Sequence, residues 1–249
     1  MAPDPRFAIL GRPETTASWN GEGRVLAVNE GATMTQTPNG SMILAFENQS
    51  KQNNQGKIAV TSGGAPPQFL AAPALLQQPQ VLVRNWQGNN LNVTNISVNE
   101  NTPIWIAAYG PGIGAPPQNL PIGQPISVPK GGALQGIANP NWMQLTFTFS
   151  SSQLAVFGII GGPADATGNN AYVVAVNSSS GDTGPPPEAK PPPGYYATRG
   201  GNTYSLEFNW GASVVYVAYF GSGQVVPPAR LLGAPAAVEP TVKLISFSA

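Results

Sequence analysis

The chain has no cysteine and no histidine. Without a thiol there is no disulfide, no thiolate nucleophile and no thiolate metal site, and the redox compartment is left open. Without an imidazole, the usual general base near neutral pH, the commonest metal ligand and the usual pH switch are all missing. Charge is scarce too. Eleven Lys and Arg balance eleven Asp and Glu, and charged residues make up 9% of the 249, against roughly 25% in a typical soluble domain. That argues against nucleic acid, whose binding rests on clustered cations that neutralise phosphates. A near-neutral surface also lacks the repulsion that keeps copies apart, so association of the chain with itself is expected. No apolar run approaches the ~18 residues of a membrane span. The opening Met-Ala-Pro-Asp-Pro-Arg has no apolar stretch of signal-peptide length. Synthesis in the cytoplasm without membrane insertion is the expectation, with assembly into a virion or an extracellular structure left open.

Glycine and proline, by contrast, number 29 and 27. They are too frequent for long helices and punctuate short apolar runs as turn residues do. Several runs alternate with period two: "LTFTF" from Leu145, "YSLEF" from Tyr204 and "TVKLISFS" from Thr241. Alternation of this kind turns one side of a pleated strand to the core. The chain is expected to be all-β.

It is also written twice. "IWIAAYGPGIGAPPQNL" from Ile104 and "VYVAYFGSGQVVPPARL" from Val215 place Gly110 and Gly221 at an offset of 111 (221 − 110). The same offset lays Thr35 over Thr146, Thr37 over Thr148 and Phe46 over Phe157. A Gly-x-Pro corner opens each unit, in "ILGRP" from Ile9, "PIGQP" from Pro121 and "LLGAP" from Leu231. Gly permits unusual dihedrals there, and Pro stiffens the segment after it. The pattern predicts two tandem, internally duplicated β-sandwich or jelly-roll-like domains at 9–120 and 121–231, after an N-terminal arm at 1–8. Residues 232–249 then form an extra C-terminal strand. That strand, with Val242, Leu244, Ile245 and Phe247, has two possible destinations. It closes a sheet of its own chain, or it pairs with a neighbouring copy and drives assembly.

No motif names a reaction. "GPGIGA" from Gly110 matches a dinucleotide fingerprint on paper, but Pro116 and Pro117 deny it a helix, and a repeated strand-to-strand turn is the expected structure. Ser127 and Lys130 are spaced as S-x-x-K, yet the Pro and glycines of "ISVPKGG" remove the helical turn that would join them. Asp165 and Asp182 each stand alone in a loop, too little charge for a calcium site. Five Asn-x-Ser/Thr matches, at Asn39, Asn48, Asn92, Asn95 and Asn177, read as chance in an Asn- and Ser-rich chain. No catalytic residue, cofactor or metal is expected, and the chain is not expected to be an enzyme.

Two aromatic positions carry an alternative. Trp86 precedes Asn89 and Asn90, and Trp210 follows Asn209, so each combines an indole with amides. A ring face over sugar C–H groups beside amides that bond hydroxyls is carbohydrate-binding chemistry. The plainer reading packs each Trp at a strand end with its N–H on a loop carbonyl. Tyr195 and Tyr196, after the triple proline, read either as binding residues or, in the plainer reading, as a hydrophobic anchor that pins the Pro-rich loop. The principal expectation is a self-assembling structural subunit forming a filament, shell or lattice, with the chain itself as partner. The alternative is a lectin-like binder of glycans with one site per domain.

Overall fold

A computed structural model describes residues 15–74, 79–137, 142–148, 153–161, 171–177, 196–200, 203–209, 214–224 and 239–246. The alternating segments are strands with the expected inward side. Leu145 and Phe147 are fully buried, while Thr146 between them is half-buried and Thr148 is exposed. Tyr204 and Leu206 are buried where Ser205 and Glu207 are half-buried, and Val242 and Leu244 are buried where Lys243 and Ile245 are half-buried. The fold is all-β, and among the described residues there is no helix.

The chain divides into two compact units, Met1–Ala115 and Pro116–Ala249. The boundary stands a few residues before the one drawn from the repeat, and the C-terminal segment belongs to the second unit.

In the first unit the strands are β1 (Thr15–Ser18), β2 (Arg24–Leu26), β3 (Glu30–Met34), β4 (Ser41–Asn48), β5 (Gly56–Ser62), β6 (Gln68–Ala72), β7 (Gln80–Asn85), β8 (Leu91–Asn95) and β9 (Ile104–Tyr109). They form two sheets, β1-β3-β8-β5-β6 and β2-β9-β4-β7. Between them lies a core that includes Leu26, Met42, Leu44, Ile58, Leu91, Val93, Ile104 and Ile106. Facing apolar sides of this kind are what a two-sheet sandwich buries.

The second unit has β10 (Gln118–Asn119), β11 (Pro125–Ser127), β12 (Ala133–Ile137), β13 (Trp142–Thr148), β14 (Gln153–Ile160), β15 (Ala171–Asn177), β16 (Tyr196–Gly200), β17 (Thr203–Asn209), β18 (Val214–Gln224) and β19 (Thr241–Ser246). Its sheets run β10-β12-β18-β14-β15 and β11-β19-β13-β17-β16. Phe147 of β13 and Phe157 of β14 meet across the core with ring centroids 4.6 Å apart.

The duplication is visible as shared pairing. β4 lies antiparallel to β9 as β14 does to β18, and β2 lies antiparallel to β9 as β12 does to β18. β3 and β8 correspond in the same way to β13 and β17. The repeat also extends to the faces turned away from the two cores. Ala45, Ala107 and Tyr109 recur at the offset of 111 as Val156, Ala218 and Phe220, and all six are buried.

The units differ beside β3 and β13. In the first, β1 lies directly on β3 and parallel to it. In the second, β19 lies between β11 and β13, antiparallel to both. Of the two destinations open to the C-terminal strand, the structure therefore shows the intramolecular one. Val242 and Leu244 are core residues, and both edges of β19 are hydrogen-bonded. Ile245 is half-buried, and Phe247 lies outside the described residues.

Candidate functional site

The glycine-rich copies do not fold alike. In the first, Gly110 and Ile113 exchange backbone hydrogen bonds of 3.0 and 3.3 Å, closing a tight turn. In the second, β18 runs on through Gly221 to Gln224 and pairs with Gln153–Val156. A register shift at Val156/Phe157 marks a bulge there, and Gly221 takes φ 122°, which suits glycine. The expected repeated turn is thus a turn once and a bulged strand once, because the second copy finds a partner strand to continue on. Neither begins a helix, so no pyrophosphate cradle forms. The Ser127 hydroxyl donates to the Glu239 carboxylate at 3.0 Å. Asp165, Asp182 and Tyr195 lie outside the described residues.

Two of the Asn-x-Ser matches have a physical cause. Asn48 Oδ1 accepts the backbone N–H of Ser50 at 2.9 Å, and Asn95 Oδ1 accepts both the N–H and the hydroxyl of Ser97 at 3.1 and 2.7 Å. A side-chain carbonyl that takes the amide two residues on makes an Asx turn, so the spacing serves the chain reversal after β4 and after β8. Each carboxamide nitrogen reaches two further carbonyls: Asn54 and Ala72 from Asn48, Leu26 and Thr102 from Asn95.

A third Asx turn builds the site at the end of β7. Asn85 Oδ1 accepts the Gln87 N–H at 2.8 Å. Gln87 and Gly88 then take φ 55° and 74°, the pair of positive values that a type I′ turn requires. Asn89 closes the turn, its N–H and its carboxamide both donating to the Trp86 carbonyl at 3.1 and 2.9 Å. Across from it, the Gly63 N–H donates to Asn90 Oδ1 at 2.9 Å. A Cβ on Gly63, where φ is 57°, would stand 2.9 Å from Asn89 Cγ, so this close approach needs glycine.

Trp86 points inward from this turn and is 3% exposed. It joins the first unit's core, so its ring face is not an open stacking surface. Among the described residues its indole N–H has no hydrogen-bond partner, in contrast to the loop carbonyl expected for it. A buried donor left unpaired costs about 1–3 kcal/mol, which makes the position worth explaining. Beside it opens a cavity of about 240 Å³, bounded by Val60, Ser62, Gly63, Ala65, Pro66 and Gln68 of the β5–β6 hairpin and by residues 84–87 and 89. Among the described residues Arg84 is the one charged residue in that lining.

The second half of the expected pair does not mirror the first. Asn209 ends β17, the counterpart of β8, whereas Trp86 follows β7. Trp210 itself and the Asn209 side chain lie outside what the structure describes. The cavity, built from backbone reversals and glycine contacts distant in sequence, carries no linear signal beyond the Asn-Trp-Gln-Gly run.

No family model matches the chain, and no curated protein matches it. Among solved structures it is similar to the CUB1-EGF-CUB2 domains of rat MASP-1, at 12% identity and a TM-score of 0.25, over 81% of this chain and 99% of that one. At that score the likeness carries no argument. Among the described residues no helix is long and apolar enough to cross a membrane.

Proposed function

We propose that the chain is a non-catalytic structural subunit whose copies join through sheet edges into a filament, shell or lattice, in a virion or an extracellular structure. The observation that carries this reading is a pair of edges. β7 ("QVLVRN") ends one sheet of the first unit and β15 ("AYVVAVN") ends one sheet of the second. Each lies beside the corresponding strand, β4 or β14, and among the described residues neither has a strand on its outer side. Natural edges are blunted with charge, proline or bulges. These two carry one charge between them, at Arg84, and no proline.

An edge on each unit of one chain permits head-to-tail contacts, which generate rings or open polymers. β-augmentation between β7 of one copy and β15 of the next supplies main-chain hydrogen bonds without needing charge complementarity. Net neutrality of the chain favours such contacts further.

The cysteine-free sequence allows a direct test by disulfide trapping. Val83 and Ala175 stand opposite Ile43 and Val156 in their ladders. Chains carrying V83C and A175C, mixed and oxidised, are expected to give a mixed disulfide dimer. Chains with V98C, at the most exposed large apolar position among the described residues, serve as the control for random encounter. Equal crosslinking of the control pair contradicts the edge-to-edge reading.

A further inference from the structure

We propose that the cavity beside Trp86 in the first unit binds a single acidic sugar ring, a uronate-type carboxylate on a polyhydroxylated ring. The proposal does not rest on assembly, and it gives the carbohydrate reading a defined site in the first unit.

The lining selects charge first. Arg84 is exposed, and among the described residues it is the one charged residue in the lining, with no carboxylate beside it. A guanidinium donates in a fixed fork that matches a carboxylate in two parallel hydrogen bonds. The remaining polar groups are a hydroxyl and carboxamides from Ser62, Gln68, Asn85, Gln87 and Asn89. These donate and accept, as ring hydroxyls require. Asn85 and Asn89 are partly engaged by the turn through Oδ1 and Nδ2 respectively. The side chains of Ser62, Gln68 and Gln87 make no hydrogen bond to a described residue.

The indole N–H of Trp86 is a feature of the floor behind this lining. It belongs to a side chain 3% exposed that also contributes to the cavity lining, and among the described residues the N–H has no partner and is itself closed off from water. The N–H therefore lies behind the lining, where a ligand in the cavity does not touch it, and recognition rests on Arg84 and the carboxamides.

Size sets the rest. The cavity of about 240 Å³ is below the ~300–1,000 Å³ of pockets for drug-sized ligands, so it suits one ring and not a buried chain.

The experiment is saturation-transfer NMR on the full chain, a method that tolerates large assemblies, with sodium glucuronate, methyl glucoside and sodium acetate as probes. Glucuronate is expected to receive saturation, methyl glucoside to bind at least about tenfold more weakly, and Arg84→Gln to weaken glucuronate by a similar factor. Because Arg84 is exposed, the variant keeps the fold, which its melting temperature verifies. Three results overturn the proposal: no transfer to glucuronate at tens of millimolar, equal binding by Arg84→Gln, or acetate displacing glucuronate at equal concentration, which would mean an anion site only.

Discussion

Val83 on β7 stands opposite Ile43 on β4, and among the described residues no strand lies on its other side. Leu82, its neighbour, packs on the core, so Val83 faces away from it. A lysine at Val83 places charge on the edge while its stem lies along the half-buried surface. Val83→Lys is expected to reduce the mass of the particles formed, read by mass photometry, with a loss of stability of about 1 kcal/mol or less in urea melts.

The C-terminal strand predicts the opposite kind of result. Leu244 is fully buried between β11 and β13, so Leu244→Ala is expected to cost about 2–5 kcal/mol. Removing residues 236–249 deletes β19 altogether and opens the second unit's core. Chemical denaturation of the truncated chain should show the second unit's transition lost while the first unit's remains. Retention of both transitions would contradict the place of β19 in its own sheet.

This strand also shows what was legible in the sequence. The alternation of Val242 and Leu244 with Lys243 and Ile245 announced a strand and its inward side, because period two is a local property. Its partner was not local. β13 and β11 are separated from it by about a hundred positions, and pairing over that distance is set by the sheet, not by the segment. The same holds for β15. Its apolar run marks it as a strand, yet nothing in "AYVVAVN" says that it borders β14 while the hairpin β5–β6 of the first unit borders β8. At the candidate site, the Asn-Trp-Gln-Gly run was visible. The inward turn of Trp86 and the approach of Gly63 to Asn89 depend on a tertiary contact that no spacing encodes.

Asn95 offers a test of the turn chemistry. Its fully buried carboxamide joins β2, β8 and the segment before β9 through Leu26, Ser97 and Thr102. Asn95→Ala leaves those buried groups unpaired and should cost about 2 kcal/mol or more in urea melts, since each orphaned group carries a desolvation penalty. Asn92→Ala is expected to cost less, because it loses one bond to Thr33 at a partly buried position.

Trp86→Phe should behave unlike an ordinary core truncation. The lost volume is destabilising, but the substitution also removes an unpaired buried N–H, so the two effects offset and the net change is expected to be about 1 kcal/mol or less. A loss of the size seen for other aromatic core deletions, about 3 kcal/mol or more, would mean that the N–H is bonded in solution.

The central claim is that copies of this chain assemble through β7 and β15. Mass photometry of the wild-type chain across dilution, beside Val83→Lys, tests it most directly. The account predicts species that are multiples of 25.8 kDa for the wild type and a shift towards the single chain for the variant. A wild type that stays at 25.8 kDa at every concentration, or assemblies that Val83→Lys leaves unchanged, would contradict it.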